Sequence, residues 1–441
     1  MTSIVLALAL LAAAPENPAD LADRLGSADA GVREEAEGAL EEIGRPALPV
    51  LRIAVGKASD PAHARRLAEL IDLIERKRLL SATQVELVEH DVTVSDAVAD
   101  LSRRARLRVT LDPPDDPHWT SKKIEFDSKG PIGFWEAIDR LGTVGGFRLE
   151  AIAGWYGSRT EPTVRLVRFD DPPAKTSYAG PFRVDLASLN RHRAVTQTRP
   201  GITAKPVDDF SVMLNLVPEP GLKIARNGSP RVFEAVDARG ADLRPTSTLD
   251  PSAQNEFPFR QWRPEGLGAI TYRLPLRYPA ARGGTLKRLR GELPISVVAR
   301  TGPIMTVPLD GSEGRPFTAG GITLIVRAIE RSVTGPFALT ISVRGESPQL
   351  TPPIAPGPRQ LTLGPIHPGY HPDDHIQILD SLGRTVQITS NIPPPRPDGT
   401  LEFRVQIHAY APSGPATTLR YYGLVGEATE IPFEFVDVPL P

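Results

Sequence analysis

Three of the chain's eight histidines fall within nine residues, in His367-Pro-Gly-Tyr-His371-Pro-Asp373-Asp374-His375. Imidazole and carboxylate together suit Zn²⁺ or a similar ion, and such a centre would support a metal-dependent hydrolase. The spacing argues against it. Pro368, Gly369 and Pro372 exclude the helix that would stack residues four apart on one face, so the run reads as an inter-strand loop. Four other acids come in pairs, Asp115-Asp116 and Asp170-Asp171, each beside prolines in a solvent-facing loop. Glycosidase carboxylates are defined by their separation in space, which sequence does not supply. Trp155-Tyr156 and Tyr421-Tyr422 carry flat faces that could stack on sugar rings, which makes a glycan the alternative partner. Adjacent strand residues face opposite ways, so one of each pair belongs to a core. Lys287, Arg288 and Arg290 interleave with Leu286 and Leu289 and read as the polar face of a strand.

No Gly-x-Ser-x-Gly elbow, Walker loop, His-Glu-x-x-His or dinucleotide fingerprint occurs. The chain has no cysteine, which excludes disulfides, thiol catalysis and Cys-ligated metals. With 51 basic and 53 acidic side chains the formal charge is −2, so a polyanion-driven nucleic-acid partner is excluded for the whole chain. The reading is therefore non-enzymatic, with no catalytic, cofactor or metal residue assigned. The elements must say more. Across 441 residues, 46 prolines and 37 glycines point to many short strands joined by turns, in several domains.

Ile4 to Leu11 is an apolar run followed by Ala12-Ala13-Ala14, which reads as an export signal over residues 1–14, cleaved after Ala14. No later window approaches 18 apolar residues, so no membrane span is expected. The destination is periplasmic or extracellular, and 42 Arg against 9 Lys fits a GC-rich bacterial genome. Residues 18–80 are helical by period: Val32, Ala36, Leu40 and Ile43 form one stripe, Gly44 stops it and Pro46 opens the next helix. With Asp29, Arg33 and Gly44 at the matching positions, this stretch resembles a HEAT repeat, and the resemblance implies that Asp29 and Arg33 tie successive repeats together. It spans at most two repeats.

Residues 81–170 alternate between periods, in the order β-α-β-β-α-β-β. Ser95 is placed to cap the first helix, the Pro-Pro-Asp-Asp loop at 113–116 leads to a strand at Ile124 and Phe126, and a final hairpin turns around Gly154 and Gly157. Val92 to Leu107, Asp112-Pro113 and Phe134 to Leu141 make this module resemble the secretin and TonB short N-terminal domain. The resemblance implies a docking module, with an envelope protein as partner. Its most exposed edge is expected on the last hairpin, which Gly154, Gly157 and Pro162 interrupt.

Residues 171–180 read as a linker, and strands follow. Phe210 to Leu216 recurs as Phe337 to Val343, Val236-Asp237-Ala-Arg-Gly240 as Leu379-Asp380-Ser-Leu-Gly383, and Ile270 to Leu276 as Leu401 to Ile407. Leu286 is set against Leu419, and Pro294-Ile295 against Pro432-Phe433. The expectation is two tandem immunoglobulin-like β-sandwiches, residues 181–310 and 311–441. The fold class is thus multidomain α+β: a small helical head, a βαββαββ module and two sandwiches. The function expected is protein–protein interaction or scaffolding in the cell envelope, with polymer binding by the sandwiches and metal-dependent hydrolysis as alternatives.

Overall fold

The computed structural model describes residues 17–150, 163–169, 175–194, 207–244, 269–278, 284–332, 335–345, 374–391, 400–408 and 414–440. The signal-like run at 1–14 lies outside them. The protein is mixed α+β, with several antiparallel sheets and, among the described residues, seven α-helices. It divides into residues 1–78 and 79–441.

The first part is helical: α1 (Pro18–Arg24), α2 (Ala30–Ile43), a 3₁₀ turn (Arg45–Ala47), α3 (Leu48–Lys57) and α4 (Pro61–Leu79). Leu21, Leu25, Ala36, Leu40, Leu51, Leu67 and Ile74 form its core. The α1–α2 and α3–α4 turns share a device. Asp29 accepts a hydrogen bond from Gly31 N at 2.8 Å, and Asp60 one from Ala62 N at 3.0 Å, each capping the following helix. Arg33 braces the first turn by donating to the Ser27 and Ala28 carbonyls, both at 2.9 Å.

The second part opens with the α+β module: β1 (Gln84–Val85), β2 (Val88–Thr93), α5 (Val94–Ala105), β3 (Arg108–Asp112), α6 (Pro117–Ser121), β4 (Lys123–Asp127), β5 (Ile132–Gly133), α7 (Phe134–Gly145), β6 (Phe147–Leu149) and β7 (Thr163–Arg168). Three details differ from the sequence reading. Helix α6 interrupts the approach from the Pro-Pro-Asp-Asp loop to the third strand: Asp116 caps it through His118 N at 2.9 Å, Pro117 takes its first position, and buried Trp119 fills the core. The cap of α5 is Thr93, which accepts from Asp96 N at 3.1 Å, and not Ser95. In the last hairpin only β6 is an outer strand, because β7 pairs with β6 on one side and in parallel with β3 on the other.

The rest is β. The strands are β8 (Thr176–Ala179), β9 (Phe182–Ala194), β10 (Val207–Pro218), β11 (Leu222–Asn227), β12 (Arg231–Asp237), β13 (Ile270–Leu276) and β14 (Thr285–Pro308). They continue as β15 (Pro316–Ala319), β16 (Ile322–Ser332), β17 (Gly335–Gly345), β18 (Ile376–Asp380), β19 (Thr385–Asn391), β20 (Leu401–His408) and β21 (Ala416–Pro439). β8 lies inside the stretch read as a linker, paired with β9.

Two lobes built from these strands share one pairing scheme. The order β13-β10-β9-β8 in the first lobe matches β20-β17-β16-β15 in the second. Val212 faces Leu274 and Leu214 faces Tyr272, as Leu339 faces Val405 and Ile341 faces Phe403. The first hairpin turns at Gly180 and its counterpart at Gly320, both with φ +56°. β9 and β16 each carry an irregularity at the same place, past Leu186 and past Val326. On the other sheet, Ala235 faces Leu289 as Ile378 faces Leu419. Leu289, not Leu286, is therefore the counterpart of Leu419.

The lobes are not simply consecutive. β14 and β21 pair antiparallel from Thr285↔Pro439 to Pro308↔Thr418. The first half of each stays in its own lobe and the second half crosses over. Ile431, Phe433, Phe435 and Val438 belong to the first lobe's core with Phe182, Val212 and Leu274. Met305 and Val307 belong to the second, with Ile341, Ile378 and Phe403. A boundary at 310/311 does not separate the two cores, because Ile431, Phe433 and Phe435 pack in the first.

Candidate functional site

Of the His/Asp run, His367, His371 and Asp373 lie outside the described residues. Asp374 and His375 immediately precede β18, where β14 and β21 pass from one lobe to the other. His375 is 5% exposed, and its ring stacks on Tyr421 with centroids 5.2 Å apart and planes 11° from parallel. Its Nδ1 lies 2.9 Å from the Tyr422 carbonyl, which can only accept, so Nδ1 carries the proton. Nε2 is buried with no hydrogen-bond partner among the described residues. Burial pushes the imidazole pKa below its ordinary value, against the Tyr422 carbonyl and Asp374 and with help from Arg300.

Around it, Lys223 of β11 pairs with Asp374. Arg300 of β14 donates to the Asp374 and Ile376 carbonyls at 2.7 and 2.8 Å, with its guanidinium 5.2 Å from the centre of the Tyr422 ring. The Tyr422 hydroxyl donates to Gln377, which in turn donates to Thr385 at 2.7 Å. The cluster ties β11, β14, β18, β19 and β21 together at the crossing. Among the described residues no three His, Cys, Asp or Glu side chains converge as a metal set. What this arrangement does chemically is clamp a neutral imidazole.

A second cluster, which the sequence reading missed, fixes the α+β module to the first lobe. Arg183 of β9, with its side chain 7% exposed, pairs with Asp139 of α7 at 2.6 Å and with Asp185 at 2.7 Å. The Tyr178 hydroxyl donates to Asp139 at 2.5 Å, and Thr176 to Asp185 at 3.0 Å. Burial raises the Asp139 pKa, opposed by Arg183 and Tyr178; burial and the Asp139 charge also raise that of Tyr178. Beside this, buried Glu219 accepts from Thr83 N at 3.0 Å, its pKa likewise raised by burial. At Gly180 a Cβ would meet the Leu80 carbonyl at 2.4 Å, so the backbones touch there. One signal was present: Arg183 and Asp185 alternate with apolar Phe182 and Val184, so they share one face of the strand.

The remaining candidates are placed as follows. Asp116 is a helix cap and Asp115 is exposed, while Asp170, Asp171, Trp155 and Tyr156 lie outside the described residues. Tyr421 is core and Tyr422 points into the clamp. Lys287 pairs with Asp437 at 2.8 Å and Arg288 with Glu434 at 3.1 Å, across β14 and β21.

Outer strand β6 carries exposed Arg148, whose guanidinium lies 3.3 Å from the Phe169 ring centre. No family model, curated protein or solved structure matches the chain.

Proposed function

We propose that this chain is an exported, non-catalytic cell-envelope protein that acts in protein–protein interaction or scaffolding. In this reading the helical head is HEAT-like, residues 81–170 are a docking module of the secretin and TonB short N-terminal type, and the two lobes are immunoglobulin-like sandwiches derived from one duplicated unit. The observation that supports it best is the buried Asp139–Arg183–Asp185 cluster. It seats the module on a β base, so that β6 is presented from a fixed platform, and a short outer strand can add a partner's strand by main-chain hydrogen bonds.

The test uses the intact chain in a Gram-negative host. Export predicts an N-terminus at or near Pro15. A photo-crosslinker at Arg148 on β6 should trap an envelope protein, and one at Phe337, 43% exposed on β17, should not. Crosslinking only from Phe337, or retention by envelope polysaccharide with no protein trapped, would replace docking with polymer binding by the lobes.

A further inference from the structure

The second half of β21 fills a slot in a lobe formed by residues far upstream. Along Val425 to Pro439 it pairs with Thr285 to Ala299 of β14. On its other side Glu434 N meets Ser177 Oγ of β8 at 3.3 Å. Ile431, Phe433, Phe435 and Val438 are each no more than 4% exposed. The slot is shaped for them: a Cβ at Gly291 would sit 2.6 Å from Phe433 and 2.2 Å from the Arg231 carbonyl.

No hairpin returns the strand to this slot; it enters straight from the other lobe. The crossing is marked on β14 by two register shifts, between Arg300 and Pro303 and between Pro303 and Met305, opposite Leu424 to Tyr421. Irregularities of this kind let a strand bend. β14 thus carries its irregularities at the level where β21 passes between the lobes, so that β14 can bend there and let a lobe swing away with its donated half-strand intact.

We propose that the second half of β21 is an exchangeable strand, through which a second copy of this chain joins the first. The partner copy's Ile431, Phe433, Phe435 and Val438 occupy the same slot beside β14, and the exchange is returned. Every paired residue keeps its partner, so the swapped assembly differs from the monomer only at the bend and in the cost of association. This is independent of the docking reading, since it involves neither β6 nor any envelope partner.

The chain's lack of cysteine makes the test clean. Ser296 and Ala428 are cross-strand partners in this slot. Chains carrying Ser296→Cys and chains carrying Ala428→Cys are unfolded, refolded together at high concentration and oxidised. The double variant, refolded dilute, reports the internal bridge, and light scattering reports the mass of the refolded wild type. The expected result is a wild-type dimer and a disulfide joining the two singly substituted chains. The same chains mixed after folding should give none. A refolded wild type that stays monomeric at every concentration overturns the proposal. So do dimers whose singly substituted chains fail to link while the double variant closes internally.

Discussion

Asp237 and Asp380 show how much one residue type can organise. Each side chain accepts two backbone N–H bonds across its turn, from Arg239 and Ala241 in one lobe and from Leu382 and Arg384 in the other, all at 2.8–2.9 Å. Gly240 and Gly383 follow at φ +80° and +74°. A β-branched residue resists that conformation, so Gly240→Val and Gly383→Val should each cost about 1 kcal/mol or more in urea unfolding. Burial raises the Asp380 pKa, but the Arg384 N–H and guanidinium and the Gly414 and Leu382 N–H groups outweigh it and hold the carboxyl at about 2. A carboxyl depressed on folding stabilises above its unfolded pKa, and that contribution is lost as pH falls from about 4 towards 2. Asp380→Asn should flatten this stretch of the stability–pH curve. His375 has the lowered pKa of a buried imidazole, so the unfolded chain takes the proton first. Stability should fall as pH drops below about 6.5, and His375→Phe, which keeps a ring against Tyr421, should remove that fall.

Elements were legible where one face is apolar and the period is clean. The stripe through Ala36 and Leu40, the alternation of β10 and β17 and the Asp-x-x-Gly turns could all be read directly. α6 was hidden because it is only five residues long, with Asp116-Pro117 as its start signal inside a loop-like context. The Arg183 cluster was hidden because its partner Asp139 lies 44 positions away, on a helix that shows no sign of it. Removing the guanidinium leaves two carboxylates buried against each other. Arg183→Met should therefore destabilise by about 3 kcal/mol, read as a lower urea midpoint, more than an exposed pair could account for. At the slot, Gly291→Ala should cost about 1–3 kcal/mol through overpacking. Phe433→Leu should restore only part of this, because the Arg231 carbonyl still obstructs the new Cβ.

At the scale of the molecule, alternation says that a strand has a buried face but not whose core receives it. Leu293 to Val297 and Ile431 to Phe435 both alternate cleanly, and only the register reveals that they share the first lobe's core. Chain order alone assigns the C-terminal strand to the lobe that precedes it, by contiguity. In the structure each lobe is completed by the other's long strand, which couples them. The coupling can be measured with nitroxide labels at Arg288 and Val436, which the register makes cross-strand neighbours. Such Cα atoms lie about 5 Å apart, so the doubly labelled protein should show strong dipolar broadening absent from either single label. A spectrum equal to the sum of the two singly labelled proteins would contradict the crossing and return β21 to the second lobe.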